Sequence, residues 1–162
     1  MIIINKYGLL RYKNLNFRCA LGKAGVRKKI IEGDNITPVG IYKIVKIFYR
    51  KDRIKNISSK FKLFSINKNM CWCDDSNSKH YNQLIKLPTN YTHEKLYRRD
   101  CVYDLILVLD YNMKPIIKNK GSAIFIHVTK NYKKTAGCVA LKKDHLIKIV
   151  SKINKSTKVK IG

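Results

Sequence analysis

Hydrophobic and polar positions alternate with a period of two, or gather into short apolar runs closed by turn residues, at Tyr7 to Tyr12, Leu15 to Leu21, Ile41 to Tyr49, Phe61 to Ile66, Tyr103 to Leu109, Ala123 to Val128 and Val159 to Ile161. Successive side chains of a strand point to opposite faces, so these segments are expected to be β-strands. A helical pattern holds in one place, Asp144 to Ile153, where Leu146, Ile149, Val150 and Ile153 recur three or four apart and Asp144 supplies an N-cap or a first-turn acid. Between the strands, Gly22 to Gly40, Lys68 to Gln83 and Lys86 to Arg99 read as three long loops, which in a compact domain usually carry function or mobility. No internal repeat and no linker interrupts the chain. The expectation is one mainly β domain over residues 1–162, with mixed sheets and one principal helix near residues 144–153.

Composition supports a packed core: of 162 residues, 45% are hydrophobic and 10% aromatic, which excludes disorder and low-complexity sequence. The longest apolar runs, Leu105 to Leu109 and Ala123 to Ile126, fall far short of the roughly 18 residues that span a bilayer. The opening Met1 to Lys6 lacks the basic start, apolar stretch and small-residue cleavage site of a secretory signal, so neither a transmembrane segment nor a signal peptide is expected.

Charge adds a partner's sign but not a site. Lys and Arg number 35 against 10 Asp and Glu, a formal charge of +25, which first suggests a polyanion such as nucleic acid, an anionic membrane surface or an acidic polymer. The bases are nevertheless scattered along the chain, many at solvent positions of strands, where Lys serves solubility and guards edges. Richness in Lys, Asn and Ile also follows from an AT-rich coding sequence. The five cysteines, Cys19, Cys71, Cys73, Cys101 and Cys138, form no even-spaced framework, so at least one is a free thiol. Cys71-Trp72-Cys73 with His80 lacks a second ligand pair, and neither a metal nor another cofactor is expected.

One constellation carries chemistry. His127 ends the apolar strand that follows Gly121, and Cys138 follows Gly137 eleven positions after it. A thiol is mostly protonated at neutral pH, so a nucleophilic Cys needs a base or imidazolium within hydrogen-bond reach, and His127 can supply it. Gly137 permits backbone geometry closed to other residues, and amides around Cys138 can face a developing oxyanion. The same two residues also suit a small buried Cys and a hydrogen-bonded core His.

The stretch Ile126-His127 followed by Thr135-Ala136-Gly137-Cys138-Val139-Ala140-Leu141 resembles the active-site signature of the L,D-transpeptidases of the YkuD type. Thr37-Pro38-Val39-Gly40-Ile41-Tyr42 is similar to the family's Thr-Pro-x-Gly-x-aromatic segment. Short single-domain proteobacterial members share stretches like Gly22 to Gly25, Tyr49 to Arg53, Trp72 to Asp75 with Tyr81-Asn82, and Gly121 to Phe125, in the same order. The resemblance implies a β-sandwich of mixed sheets. It implies Cys138 as nucleophile, His127 as general base and acid, and Gly137, Val139 and Thr135 as oxyanion and positioning residues. The activity implied is cross-linking of peptidoglycan stem peptides, as acyl donor and acceptor, through a carbapenem-sensitive cysteine thioester.

Ala136 and Ala140 depart from the family pattern, which has a His and an Arg or Asn there, and this bears on how the donor's carboxylates are held. Arg27, Arg50, Arg53 or Arg98 could clamp a carboxylate bidentately. Trp72, Asp74, Tyr81, Asn82, Glu32, Asp34, Arg50 and Arg53 are the candidate substrate-binding residues; Asp74 with Asp75 could meet an amino group. His80, His93 and His145 look structural or exposed. Two other functions stay open: an L,D-carboxypeptidase or endopeptidase hydrolysing the same stems, and a non-catalytic basic protein binding nucleic acid or an anionic polymer. The implied substrate places the protein, expected as a monomer without a specific nucleic-acid partner, in the periplasm or at the cell wall; the cytoplasm is the alternative.

Overall fold

A computed structural model describes residues 1–162. Fourteen strands and one helix succeed one another as β1 (Ile2–Ile4), β2 (Leu9–Tyr12), β3 (Leu15–Arg18), β4 (Val26–Arg27), β5 (Thr37–Pro38), β6 (Gly40–Tyr49), β7 (Leu63–Ser65), β8 (Met70–Cys73), β9 (Leu84–Lys86), β10 (His93–Lys95), β11 (Leu105–Leu109), β12 (Phe125–Val128), β13 (Val139–Leu141), α1 (Lys143–Val150) and β14 (Lys158–Ile161). The fold is mainly β with mixed sheets and a single helix, as the alternation predicts. A nine-stranded sheet runs β13-β12-β11-β6-β14-β1-β2-β3, with β7 paired to β6; a three-stranded sheet runs β10-β8-β9, and β4 pairs with β5.

The centre of the large sheet is buried on both sides. Every residue of β11 is fully excluded from solvent, and its alternation divides the interior in two. Leu105, Leu107 and Leu109 join Ile126, Val128, Val139 and Leu141 in a cluster that the helix closes with Leu146, Ile149 and Val150. Ile106 and Val108 face the other way, where Phe48, Phe125 and Tyr103 meet Trp72, Met70 and Leu96 of the small-sheet layer. Phe125 stands edge-on to both Trp72 and Tyr103, with centroids 5.3 and 6.1 Å away. Along β12, His127 therefore shares the small-sheet side with Phe125, and the functional cavity opens there.

Some expectations shift. The three segments read as loops contain β4 and β5, β8, and β10. Met70–Cys73 is buried at all four positions, so burial on both faces erased the alternation that would have marked it. Cys71 and Cys73 share one face of β8, opposite to that of Trp72, and all five cysteines are free thiols. The helix cap is Lys142, which makes no side-chain capping bond; Asp144 lies in the first turn. His145 stacks on Phe17 at 4.1 Å. No helix is long and apolar enough to cross a membrane.

Asp104, 1% exposed, ties the layers: it accepts from Arg53 at 2.8 Å and from Lys143 of α1 at 2.6 Å. Truncating the middle of β11 tests the two-sided core. Leu107→Ala is expected to cost about 2–5 kcal/mol, read as a lower urea midpoint at unchanged slope.

Candidate active site

The segment carrying Cys138 is clamped on both sides. β13 pairs in parallel with β12, aligning Ala140 with His127. From the other side, Ala20 and Ala140 exchange amide hydrogen bonds of 2.8 and 2.9 Å, while Thr135 donates to the Leu21 carbonyl at 3.0 Å and accepts from the Lys23 amide at 2.9 Å. Gly137 has φ of 144°, and a Cβ there would stand 2.9 Å from the Ile36 carbonyl oxygen, so a side chain would clash with fixed backbone. Thr135 Oγ1 donates to the Cys138 carbonyl at 2.6 Å and accepts from the Gly137 amide at 3.1 Å, closing the turn.

The Cys138 thiol donates to the Ala123 carbonyl at 3.1 Å and accepts from the Phe125 amide at 3.3 Å. His127, 6% exposed, places Nδ1 2.8 Å from the Val128 carbonyl. A carbonyl only accepts, so Nδ1 carries the proton and Nε2 presents its lone pair. Tyr103 stands edge-on to the imidazole at 5.3 Å. Cys138 and His127 line one cavity of about 860 Å³ and are not hydrogen-bonded to each other. Burial pushes the Cys138 thiol up to about 12 against the pull of the Phe125 amide. Burial likewise pushes His127 down to about 4 despite its bond to the Val128 carbonyl. At neutral pH the free protein therefore holds a neutral thiol and a neutral imidazole.

Of the sequence-predicted residues, Cys138, His127, Thr135, Glu32, Asp74 and Arg98 line this cavity. Trp72, Tyr81 and Asn82 lie behind its wall as scaffold. Asn82 Oδ1 accepts from Trp72 Nε1 at 3.0 Å and from the Ala123 amide at 3.1 Å, while its Nδ2 donates to the carbonyls of Tyr111 and Asn112. Tyr81 donates to Glu32 at 2.5 Å and accepts from the Gly121 amide at 2.9 Å. Together they hold Gly121 to Ala123, the segment whose last carbonyl receives the thiol. Asp34 binds Lys29 and three loop amides, and although burial opposes it, these bonds hold its carboxyl down at about 2.

Arg50 and Arg53 also sit off the cavity wall. Arg50, 3% exposed, forks onto Asp52, donates to the Arg98 carbonyl at 2.7 Å and stacks on Tyr97. Arg53 grips the Arg99 and Asp100 carbonyls. Both brace the loop that presents Arg98. Gly137 and Val139 are buried, and the Gly137 amide is already engaged by Thr135, whereas the Cys138 amide donates to no other group of the chain. Ala136 and Ala140 line the cavity where the family's polar side chains would project, leaving room there.

Glu94, Tyr103 and Ser122 line the cavity but were not singled out from sequence. Glu94 belongs to no motif; only the antiparallel register that sets it opposite Trp72 brings it to the site. No group of three His, Cys, Asp or Glu side chains is gathered where it could hold a metal ion.

The L,D-transpeptidase catalytic-domain family model, YkuD, matches residues 2–161, nearly the whole chain. The chain belongs to that family, whose members act on peptidoglycan. No curated protein matches it.

Two measurements follow from the site's electrostatics. A neutral thiol predicts that alkylation of Cys138 by iodoacetamide, followed by mass at that peptide, climbs about tenfold per pH unit from pH 7 to 10; a plateau near neutrality would reveal a preformed thiolate. The lowered His127 value means the unfolded chain binds a proton there that the folded chain refuses between about pH 6.5 and about pH 4. Stability should fall by about 3 kcal/mol as pH drops through that window. In His127→Gln that portion of the pH dependence should vanish in urea titrations.

Proposed function

We propose that this chain transfers an acyl group of a peptidoglycan stem peptide through a thioester on Cys138. The observation that carries the reading is the pairing of a nucleophile and an oriented base on one wall of a large cavity: Cys138, flanked by the unpaired amide of its own residue, and His127, whose Nε2 lone pair is left open by the Nδ1 bond to Val128. Family membership supports the substrate class.

On this reading the thiol leaves the Ala123 carbonyl by rotation about Cα–Cβ and attacks the carbonyl carbon of an L-to-D peptide bond. His127 takes its proton as the S–C bond forms, because a thiol raised to about 12 beside a histidine lowered to about 4 does not ionise in advance. The oxyanion meets the Cys138 amide. The C–N bond then breaks and His127 returns the proton to the leaving amine. An amine of a second stem attacks the thioester, the C–S bond breaks, and the thiolate recovers a proton through His127. Lys130, Lys133 and Lys134 on the cavity wall offer the stem's carboxylates counter-charges. Such a protein works as a single domain where its polymer lies, in the periplasm or at the cell wall.

Incubation with muropeptides tests the reading. The wild type should yield cross-linked dimers and a thioester mass on Cys138, and a carbapenem should label the same residue. Cys138→Ala should lose product by about 10³-fold or more with an unchanged circular dichroism spectrum. Shortened stems in place of dimers would mean that water, not an amine, resolves the thioester; neither product would overturn the proposal.

A further inference from the structure

The cavity wall gathers a large share of the few acids of a strongly basic protein. Four of the chain's ten acidic residues, Glu32, Asp74, Glu94 and Asp100, line it, against only five of its thirty-five basic ones. Two of these carboxylates are engaged. Glu32 takes the Tyr81 hydroxyl, and Asp100 holds Arg98 in a fork of 2.9 and 2.8 Å. The other two are not. Glu94 has only a Tyr103 hydroxyl at 3.5 Å and an Arg98 nitrogen at 3.9 Å, and that guanidinium is already committed to Asp100. Burial raises Glu94 above the usual carboxylate range, and Asp74 adds to the rise. Asp74 Oδ1 is buried with no hydrogen-bond partner.

The register explains why both face the cavity. Glu94 lies opposite Trp72 on the small sheet, and Asp74 is bonded through its amide to Thr92, so Trp72, Asp74, Thr92 and Glu94 share one face. That face begins in the core at Trp72 and ends in the cavity. Ser122 lines the same cavity at 6% exposure, and its hydroxyl has no partner either. A buried hydroxyl and a buried carboxylate oxygen left unpaired are costly unless a ligand completes them. A group that donates several hydrogen bonds and carries positive charge suits these two oxygens and the loosely held Glu94 carboxylate.

Building on the transfer reading above, we propose that Asp74, Glu94 and Ser122 bind the primary alkylammonium of the acceptor stem and so direct the thioester to an amine rather than to water. An ammonium offers three donors, one for each of these residues. Before attack it passes one proton to the carboxylate that binds it. The freed lone pair forms the N–C bond as the C–S bond breaks, and the thiolate takes the proton that the new amide loses.

The test measures how the thioester partitions. With a tetrapeptide stem as donor and a tripeptide stem ending in a diamino acid as acceptor, Glu94→Gln should raise the acceptor KM about tenfold and shift product from dimer to shortened stem. Asp74→Asn removes a charge without breaking a bond of Oδ1, so its fold should survive, and it should act in the same direction. Asp144→Asn, a helix carboxylate away from the cavity, should leave the ratio unchanged. A wild type that forms no thioester would defeat the transfer reading itself. A wild type that cross-links, with both cavity variants keeping its partition ratio or losing acylation and aminolysis equally, would overturn only this inference.

Discussion

Burial of β11 on both faces is the constraint from which the remaining architecture follows. Five consecutive residues with no solvent exposure leave the strand unable to serve as an outer layer, so each face requires its own cover. The helix supplies one, through Leu146, Ile149 and Val150. The small sheet with Trp72 supplies the other. Because β12 pairs with β11 in antiparallel register, its alternation is bound to the same two faces, and His127 comes to the small-sheet side where that cover ends and a cavity begins.

The site inherits its electrostatics from this depth. Desolvation keeps both members of the Cys138 and His127 pair neutral, raising one and lowering the other. The two groups make no hydrogen bond to each other and form no ion pair in the resting protein. Trp72, Tyr81 and Asn82 contribute from behind: they fix the Gly121 to Ala123 segment, and the Ala123 carbonyl parks the thiol. Residues with the chemistry of ligand contacts thus serve as scaffold, because an amide side chain with both ends satisfied inside the protein has nothing left to offer a substrate.

Net charge and site charge also separate. The +25 total describes the surface and the protein's attraction to anionic polymers. The cavity draws on a disproportionate share of the few acids, and there four acids stand against five bases, close to balance.

The alternation of apolar positions by itself determined half of the fourteen strands, the one amphipathic helix and the mainly β class, because those segments carry a visible period. The Thr135 to Leu141 stretch and His127 were legible for a similar reason: the chemistry of a thiol, an imidazole and a glycine with a special backbone is written in residue type and order. Strand β8 was not legible, since four buried residues in a row carry no period. The division of Trp72, Tyr81 and Asn82 from Glu94 and Ser122, scaffold from cavity wall, was not legible either. That division was decided only by tertiary structure. Residues from Lys29 to Ala140 are brought together at the cavity, and whether a polar side chain is spent on a neighbour or left open to a ligand depends on partners that lie far away in the chain.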